Sequence, residues 1–458
     1  MNEPVQPMRS SVANARELSL ARCQAVIDDI FPVGETGLFV VGWIAGTGKQ
    51  AQEIWLGPDT ERYDILRHAC RYPRPDIVAA KGFDPQLRYE DAGFMVFVPD
   101  GALRFQEKRL AVACDGELLY HLEIRKMPAQ GMRPLETAKR LLKHINIHST
   151  RMREWMGRQI APAMATLDLP NSVTVTPEVR EYGSAPKQPI ASVIAPLYGR
   201  LDLMEHQLCE FGLDAQFRAE VELIYVLDDP KLQDSFTRLC HEVAPLYGVP
   251  FKTLTYPVNL GYAGANNVGA RVARSKHLVL LNSDVFPDRP GWVQALAATH
   301  RRLTDCGALG VRLLFPDGSI QHDGMRFERF PFLDHLWINA HPGKGLPISD
   351  APVTPVALVP AVTAACLWIS REDFLVTAGG FDEGYIIGDF EDSDLCLKLL
   401  LKGRRNYLIR DVMLYHLERQ SQRLAGAEDW RQKVTAYNCW RHTQRWDTVL
   451  SRLCGEAA

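Results

Sequence analysis

The segment HLVLLNSDVFP, residues 277–287, decides how the later part of the chain is read. Its apolar run at 278–281 has the continuous hydrophobicity of a strand buried on both faces, and it stops abruptly at Asn282, Ser283 and Asp284. Open α/β sheets hold ligands at the carboxyl ends of their strands, so Asp284 is a candidate ligand for a metal or a metal-bound phosphate. An Asx-type turn closing a core strand is the plain alternative, and the segment alone does not choose.

From residue 190 the chain alternates strand and helix patterns, as a mostly parallel sheet covered on both faces requires. ASVIAP (191–196) is a strand ended by Pro196, and a helix over 201–211 follows. VELIYVLDDP (221–230) is a strand closing on Asp228 and Asp229. After FKTLTY comes NLGYAGANNVG (259–269), read as a small-residue loop leading into a helix, where backbone can approach a ligand and a helix N-terminus favours an anion. Three strands therefore stop at polar groups on one expected sheet edge, a coincidence that core packing alone does not produce.

Further on, Glu391, Asp392, Ser393 and Asp394 precede a leucine-rich helix stopped by Gly403. Carboxylates in a first turn suit the helix dipole, but two acidic neighbours with a third at the next turn exceed what capping needs. The apolar run VMLYH ends on His416. Residues 315–348, with Gln321-His322-Asp323-Gly324, read as a long loop in which His322 either touches substrate or stabilises a hairpin. The helix with Trp430 and Trp440 reads as packing.

Taken in order, VIAPLYGR, IYVLDDP, NLGYAGANNVGA, LVLLNSDVF, GGFDEGYIIGDFEDSDLCLKLLLKG and YHLERQS resemble the family 2 glycosyltransferases with the GT-A fold, especially bacterial enzymes of surface-polysaccharide assembly. The resemblance spans about residues 188–446. It implies a nucleoside-diphosphate sugar donor (a UDP- or dTDP-sugar), a glycan or lipid-linked acceptor, a divalent cation (Mn²⁺ or Mg²⁺) and inversion at the anomeric carbon. Asp284 matches the last carboxylate of the family's D-x-D motif, whose first position here is Asn282, so more of the cation binding must come from the diphosphate and another side chain. By the same resemblance His416 is that second ligand, and Asp392 is the general base that takes the acceptor hydroxyl's proton. Glu391, with His322, is assigned to the acceptor. Pro196, Asp228, Asp229, Asn259, Gly261, Ala263, Asn267, Asn282 and Ser283 are assigned to the nucleotide sugar. Arg419, Gln420 and Arg423 are read as able to reach the diphosphate.

The remainder of the 458 residues sets bounds. A formal charge of −3 lacks the basic footprint of a nucleic-acid binder. Ten cysteines without paired spacing read as reduced, buried thiols. The most apolar long stretch, 351–369, is broken by Pro352, Pro355 and Pro360, which argues against a membrane span. A cytoplasmic protein is expected, with peripheral contact at the inner membrane face left open by a basic amphipathic helix near 134–167 that can lie on anionic lipid or pack between domains. The expected divisions are 1–30, a β-rich sandwich-like domain at 31–128 with a hairpin at Asp115-Gly116, a helical linker at 129–187, and the GT-A domain at 188–458. Gly46-Thr47-Gly48-Lys49 lacks the parts of a phosphate loop and reads as a hairpin turn. The rival readings are a non-catalytic glycan or nucleotide-sugar binder on the same scaffold, and a nucleotidyltransferase, which would want a glycine-rich, lysine-bearing loop where Pro196-Leu197-Tyr198-Gly199 stands.

Overall fold

The computed structural model describes residues 18–20, 23–47, 52–58, 62–81, 87–102, 109–123, 134–333, 335–417 and 428–455. Arg419, Gln420 and Arg423 lie outside them, as do Gly48 and Lys49. The chain divides into two units, Met1–Asp168 and Leu169–Ala458, and the division falls inside the segment read as a linker.

In the first unit, two antiparallel sheets share one core. A five-stranded sheet runs Leu18–Leu20, Cys23–Val33, Gly37–Gly46, Gly93–Pro99, Cys70–Tyr72, and a four-stranded one runs Tyr63–Asp64, Gln52–Leu56, Arg109–Cys114, Glu117–Glu123. Ala25, Val40 and Ile44 of the first meet Ile54, Leu110 and Val112 of the second, the alternation a sandwich demands. Asp115 and Gly116 take φ of 51° and 79° and turn the last hairpin, as its sequence predicts. The Gly46 region is different: the strands before and after it, Gly37–Gly46 and Gln52–Leu56, belong to different sheets and are not paired as a hairpin. The helix Pro134–Lys143 buries Thr137, Ala138, Leu141 and Leu142, and its Arg140 pairs with Asp29 while covering the Phe31 ring at 4.3 Å. At least one of its basic side chains is thus committed to the sandwich.

The second unit is an eleven-stranded mixed sheet with helices on its faces. Its parallel part places Phe251–Thr255, Val221–Leu227, Ala191–Leu197 and His277–Leu281 side by side. Antiparallel Cys366–Ser370 continues from His277–Leu281, followed by Cys306–Leu314 and Arg405–His416, which are parallel to one another. Leu278, Val279, Leu280 and Leu281 are fully buried, each worth about 1.5–3 kcal/mol relative to exposure.

Two segments depart from their sequence reading. Residues 261–269 are not loop but the first turns of the helix Gly261–Val272. Small residues there let it sit close on the sheet, since a Cβ at Gly269 would lie 2.5 Å from Ile194 Cγ2. Residues 315–348 contain the strand Ile320–His322, which folds back on Cys306–Leu314, and the hairpin Arg326–Phe330 with Leu336–Ala340, so short hairpins structure what composition marked as loop. Of the ten cysteines, all free, eight are buried; Cys209 and Cys454 are exposed, against the expectation for all ten. Among the described residues no helix is long and apolar enough to cross a membrane.

Candidate functional site

The 282–284 triplet turns directly off its strand, with Val285 N–H donating to the Asn282 carbonyl at 3.2 Å. Buried Gln207, on the helix Asp202–Leu213, donates from Nε2 to the carbonyls of Asn282 and Val285 at 2.9 and 3.1 Å and so fixes the turn. The chain then forms the short strand Val285–Pro287, which pairs with Arg405–His416 so that Val285 lies opposite His416. This register brings His416 Nε2 to 3.2 Å from Asp284 Oδ1. Both residues are largely buried, as is Ser283.

Gln321 sets the state of that histidine. Its Oε1 lies 2.6 Å from His416 Nδ1 and its Nε2 donates to the His416 carbonyl at 3.2 Å, an assignment that places a proton on Nδ1 and turns the Nε2 lone pair toward Asp284. Asn282 Nδ2 is 3.4 Å from the same Nε2, and buried Asn282 Oδ1 has no hydrogen-bond partner among the described residues. A carboxylate facing an imidazole lone pair, with an orphaned amide oxygen on the same turn, fits a divalent cation. No group of three His, Cys, Asp or Glu side chains among the described residues forms a cage, so the remaining ligands would have to be phosphate oxygens or water. Nearby, Arg200 is ion-paired with Asp202; that contact first, and Asp284 less, hold its guanidinium above the ordinary range.

The acidic helix Glu391–Leu401 starts on the same edge. Asn282 N–H donates to the Ala365 carbonyl at 2.9 Å, and the adjacent Ala364 N–H donates to Asp392 Oδ2 at 3.3 Å. Two consecutive residues therefore join the polar triplet to Asp392. Burial pushes the Asp392 carboxyl up to about 6, against the lowering effect of the Ser393 and Ala364 amides and the Thr363 hydroxyl. Glu391 is raised well above its usual value by burial and by Asp392 and Asp389, and its Oε2 has no partner among the described residues. Asp394 is structural in its contacts: Lys398 at 2.8 Å, Arg445 at 3.2 Å and Trp446 Nε1 at 2.8 Å surround it.

His322 is buried beside this peptide. Thr363 N–H points to its Nε2 at 3.4 Å, and its Nδ1 lies 3.0 Å from His341 Nδ1. Burial, then His341, His416 and Lys344, hold it far below the usual imidazole value, hence neutral.

The residues assigned to the nucleotide divide. Pro196 and Asp229 lie half-buried near adjacent strand ends, and Asp229 caps the turn at Lys231. Asp228 is buried, accepting at Oδ1 from Tyr256 Oη at 2.9 Å and Leu260 N–H at 2.8 Å; burial pushes it up to about 7. It thereby shapes the turn that presents Asn259 and Gly261, whose N–H donates to Asn259 Oδ1 at 3.0 Å. Gly261 has a φ of 72°, which favours glycine. Ala263 is buried in the core. Asn267 faces away: Nδ2 donates to the Phe381 carbonyl and Glu383 at 3.0 and 2.7 Å, and Oδ1 accepts from Phe381 N–H. With both amide hydrogens engaged, it anchors the helix.

Sequence reasoning missed Gln207, Thr363 and the role of Gln321. Gln321 stood beside His322 in a polar quartet, a weak signal; Gln207 and Thr363 give none, because only the tertiary register brings them to the triplet and to Asp392.

Comparison with known proteins finds similarities to parts of the chain. Residues 192–341 match Glycosyl transferase family 2. The O-antigen biosynthesis protein RfbC of Myxococcus xanthus is 28% identical over 291 residues, 63% of this chain and 22% of that protein. The uncharacterized protein y4gI of Sinorhizobium fredii (strain NBRC 101917 / NGR234) is 33% identical over 175 residues, 38% of this chain and 18% of that protein. The chain thus spans about a fifth of the length of these relatives. Similar solved structures include GalNAc-T7 with UDP, GalNAc and Mn²⁺ (15% identity, 50% of this chain and 44% of that one, TM-score 0.40). A mannosyltransferase, PcManGT from Pyrobaculum calidifontis, with GDP-Man and Mn²⁺ also aligns (16%, 70% and 88%, TM-score 0.36).

Proposed function

We propose that the protein, whose residues 192–341 match Glycosyl transferase family 2, is a cation-dependent inverting glycosyltransferase. In this reading it moves a sugar from a UDP- or dTDP-sugar to a glycan or lipid-linked acceptor in surface-polysaccharide (O-antigen or capsule) assembly. The observation that carries the reading is the two-residue link, Ala365 to Asn282 and Ala364 to Asp392, which sets a half-buried carboxylate beside a cation-binding corner.

Asp284, His416 and Asn282 would hold the divalent cation, Mn²⁺ or Mg²⁺. Bound there, it supplies charge neutralisation on the leaving diphosphate. Arg200 adds positive charge on the same side. Asp392 accepts the proton of the acceptor hydroxyl as its oxygen bonds to the anomeric carbon and the bond to the diphosphate oxygen breaks. Ser393 N–H, Ala364 N–H and the Thr363 hydroxyl hold the Asp392 carboxylate, and Glu391 Oε2 is available to a hydroxyl of the acceptor. Asp228 acts on the nucleotide side by fixing the turn at 259–261, and the neutral His322 steadies Thr363 beneath the base.

A panel of nucleotide sugars with Mn²⁺ tests this. Release of nucleoside diphosphate that depends on an added acceptor and is lost in Asp392→Asn supports it. Binding of a donor with no release under any acceptor would favour a non-catalytic binder.

A further inference from the structure

The turn in front of the acidic helix is made of residues that resist its shape. Ile387, Asp389 and Phe390 have φ of 67°, 81° and 76°, and for β-branched or bulky side chains the left-handed region is unfavourable. Phe390 is also the helix N-cap, with no side-chain hydrogen bond to the first turn, where an extended capping residue is the rule. Local sequence therefore does not hold this conformation, and the contacts that do must come from elsewhere.

They come from the C-terminal helix Glu428–Leu453. Asn438, fully buried, donates from Nδ2 to the carbonyls of Ile386 and Gly388 at 3.0 and 2.7 Å, and its Oδ1 accepts from Ile386 N–H at 3.0 Å. One turn earlier, Thr435 Oγ1 donates to Asp389 Oδ2 at 2.7 Å. Beyond the turn the same helix places His442 Nε2 3.1 Å from Ser393 Oγ and Trp446 against Asp394. The held turn is in contact with the rest of the site: the Ile387 carbonyl accepts from Tyr262 N–H at 3.0 Å, and Tyr262 Oη donates to the carbonyl of Ala364 at 2.8 Å, the residue whose own N–H reaches Asp392.

We infer that Asn438 is a positioning residue: by clamping the 386–388 backbone it keeps the strained turn in the one shape that aims Asp392 at the acceptor. Its polar atoms are taken up by the turn, so it touches neither donor nor acceptor. The inference rests on the reading of Asp392 as the base. General-base catalysis is sensitive to displacements of an ångström or less, whereas the 259–261 and 282–284 turns have holds of their own in Asp228 and Gln207 besides the Tyr262 contact. The consequence is a split between kcat and the donor KM.

Donor turnover with Mn²⁺ would be measured for wild type, Asp392→Asn, Asn438→Ala, Asn438→Asp and Thr435→Val, and for Asn438→Ala in an Ile387→Gly background. Asn438→Ala should lower kcat on the order of 10²-fold with the donor KM nearly unchanged, and Thr435→Val should do so to a smaller extent. Glycine accepts the left-handed region without strain, so the kcat loss from Asn438→Ala should shrink in the Ile387→Gly background, which a merely structural role would not produce. Should Asn438→Ala fail to fold, Asn438→Asp, which keeps an acceptor for Ile386 N–H and loses both donated bonds, carries the test with Thr435→Val. Wild-type kcat in the clamp variants, or a parallel loss of kcat and donor affinity unaffected by the glycine, overturns the inference while Asp392→Asn still reports on the base. A wild-type protein without donor turnover overturns both.

Discussion

Asp284 and His416 face one another across paired strands, Oδ1 to Nε2, at 3.2 Å. Since Gln321 engages the opposite ring nitrogen, two lone pairs meet at that distance unless a proton or a cation lies between them. Replacing either residue with alanine should weaken Mn²⁺ binding by more than about 100-fold. Thermal shift with Mn²⁺ and UDP checks this: the Mn²⁺-dependent rise in melting temperature expected for wild type should vanish in both variants.

Among the described residues, Gln321 hydrogen-bonds to the site through His416. Gln321→Leu releases the imidazole tautomer, and loss of such a supporting hydrogen bond costs about 10- to 100-fold in metal affinity. Gln321→Glu keeps an acceptor for Nδ1–H and should retain most of the Mn²⁺ response, measured in the same titration.

Asp392 must be ionised to take a proton. Its carboxyl is raised by burial, so kcat should climb through an acid limb near pH 6, above the ordinary carboxylate range of about 4, and level off beyond it. Asp392→Asn should lower kcat by about 10²- to 10⁴-fold while leaving the UDP thermal shift in place. An acid limb at ordinary carboxylate pH would contradict the burial argument.

Asp228 makes an opposite-looking statement about stability. Its folded value, pushed up to about 7 by burial, exceeds the unfolded value of about 3.9, so the folded state binds the proton more tightly. Its contribution is fully present below about pH 4 and is lost as pH rises toward 7. Asp228→Asn keeps an acceptor for Tyr256 and Leu260 and should remove that decline, seen as a flatter melting temperature between these pH values. Asp228→Ala should instead leave the Leu260 N–H unpaired and cost about 1–3 kcal/mol.

Gly269 tests the close seating of the nucleotide-side helix. Gly269→Val must displace Ile194 or the helix, since even a Cβ would lie 2.5 Å from Ile194 Cγ2. A loss of about 1–3 kcal/mol in urea unfolding is expected.

Period and punctuation alone revealed the alternating α/β unit, the β-rich unit before it, the Asp115-Gly116 turn and the polar ends of strands, because burial on both faces and turn chemistry are local properties. The departures share a cause. Residues 261–269 look like loop because glycine and alanine are weak local signals, yet they are helix because the sheet admits only small side chains there. Residues 315–348 look like loop because their strands, though paired with near neighbours in the chain, are short and set among prolines and glycines that mask the alternation. The pairing of Val285 with His416, the hold of Gln207 on the 282–285 turn and the clamp of Asn438 on 386–388 were decided by tertiary structure alone. Hydrogen bonds between residues remote in sequence leave no periodic trace, so the chain shows which side chains could do chemistry, and the fold decides which of them meet.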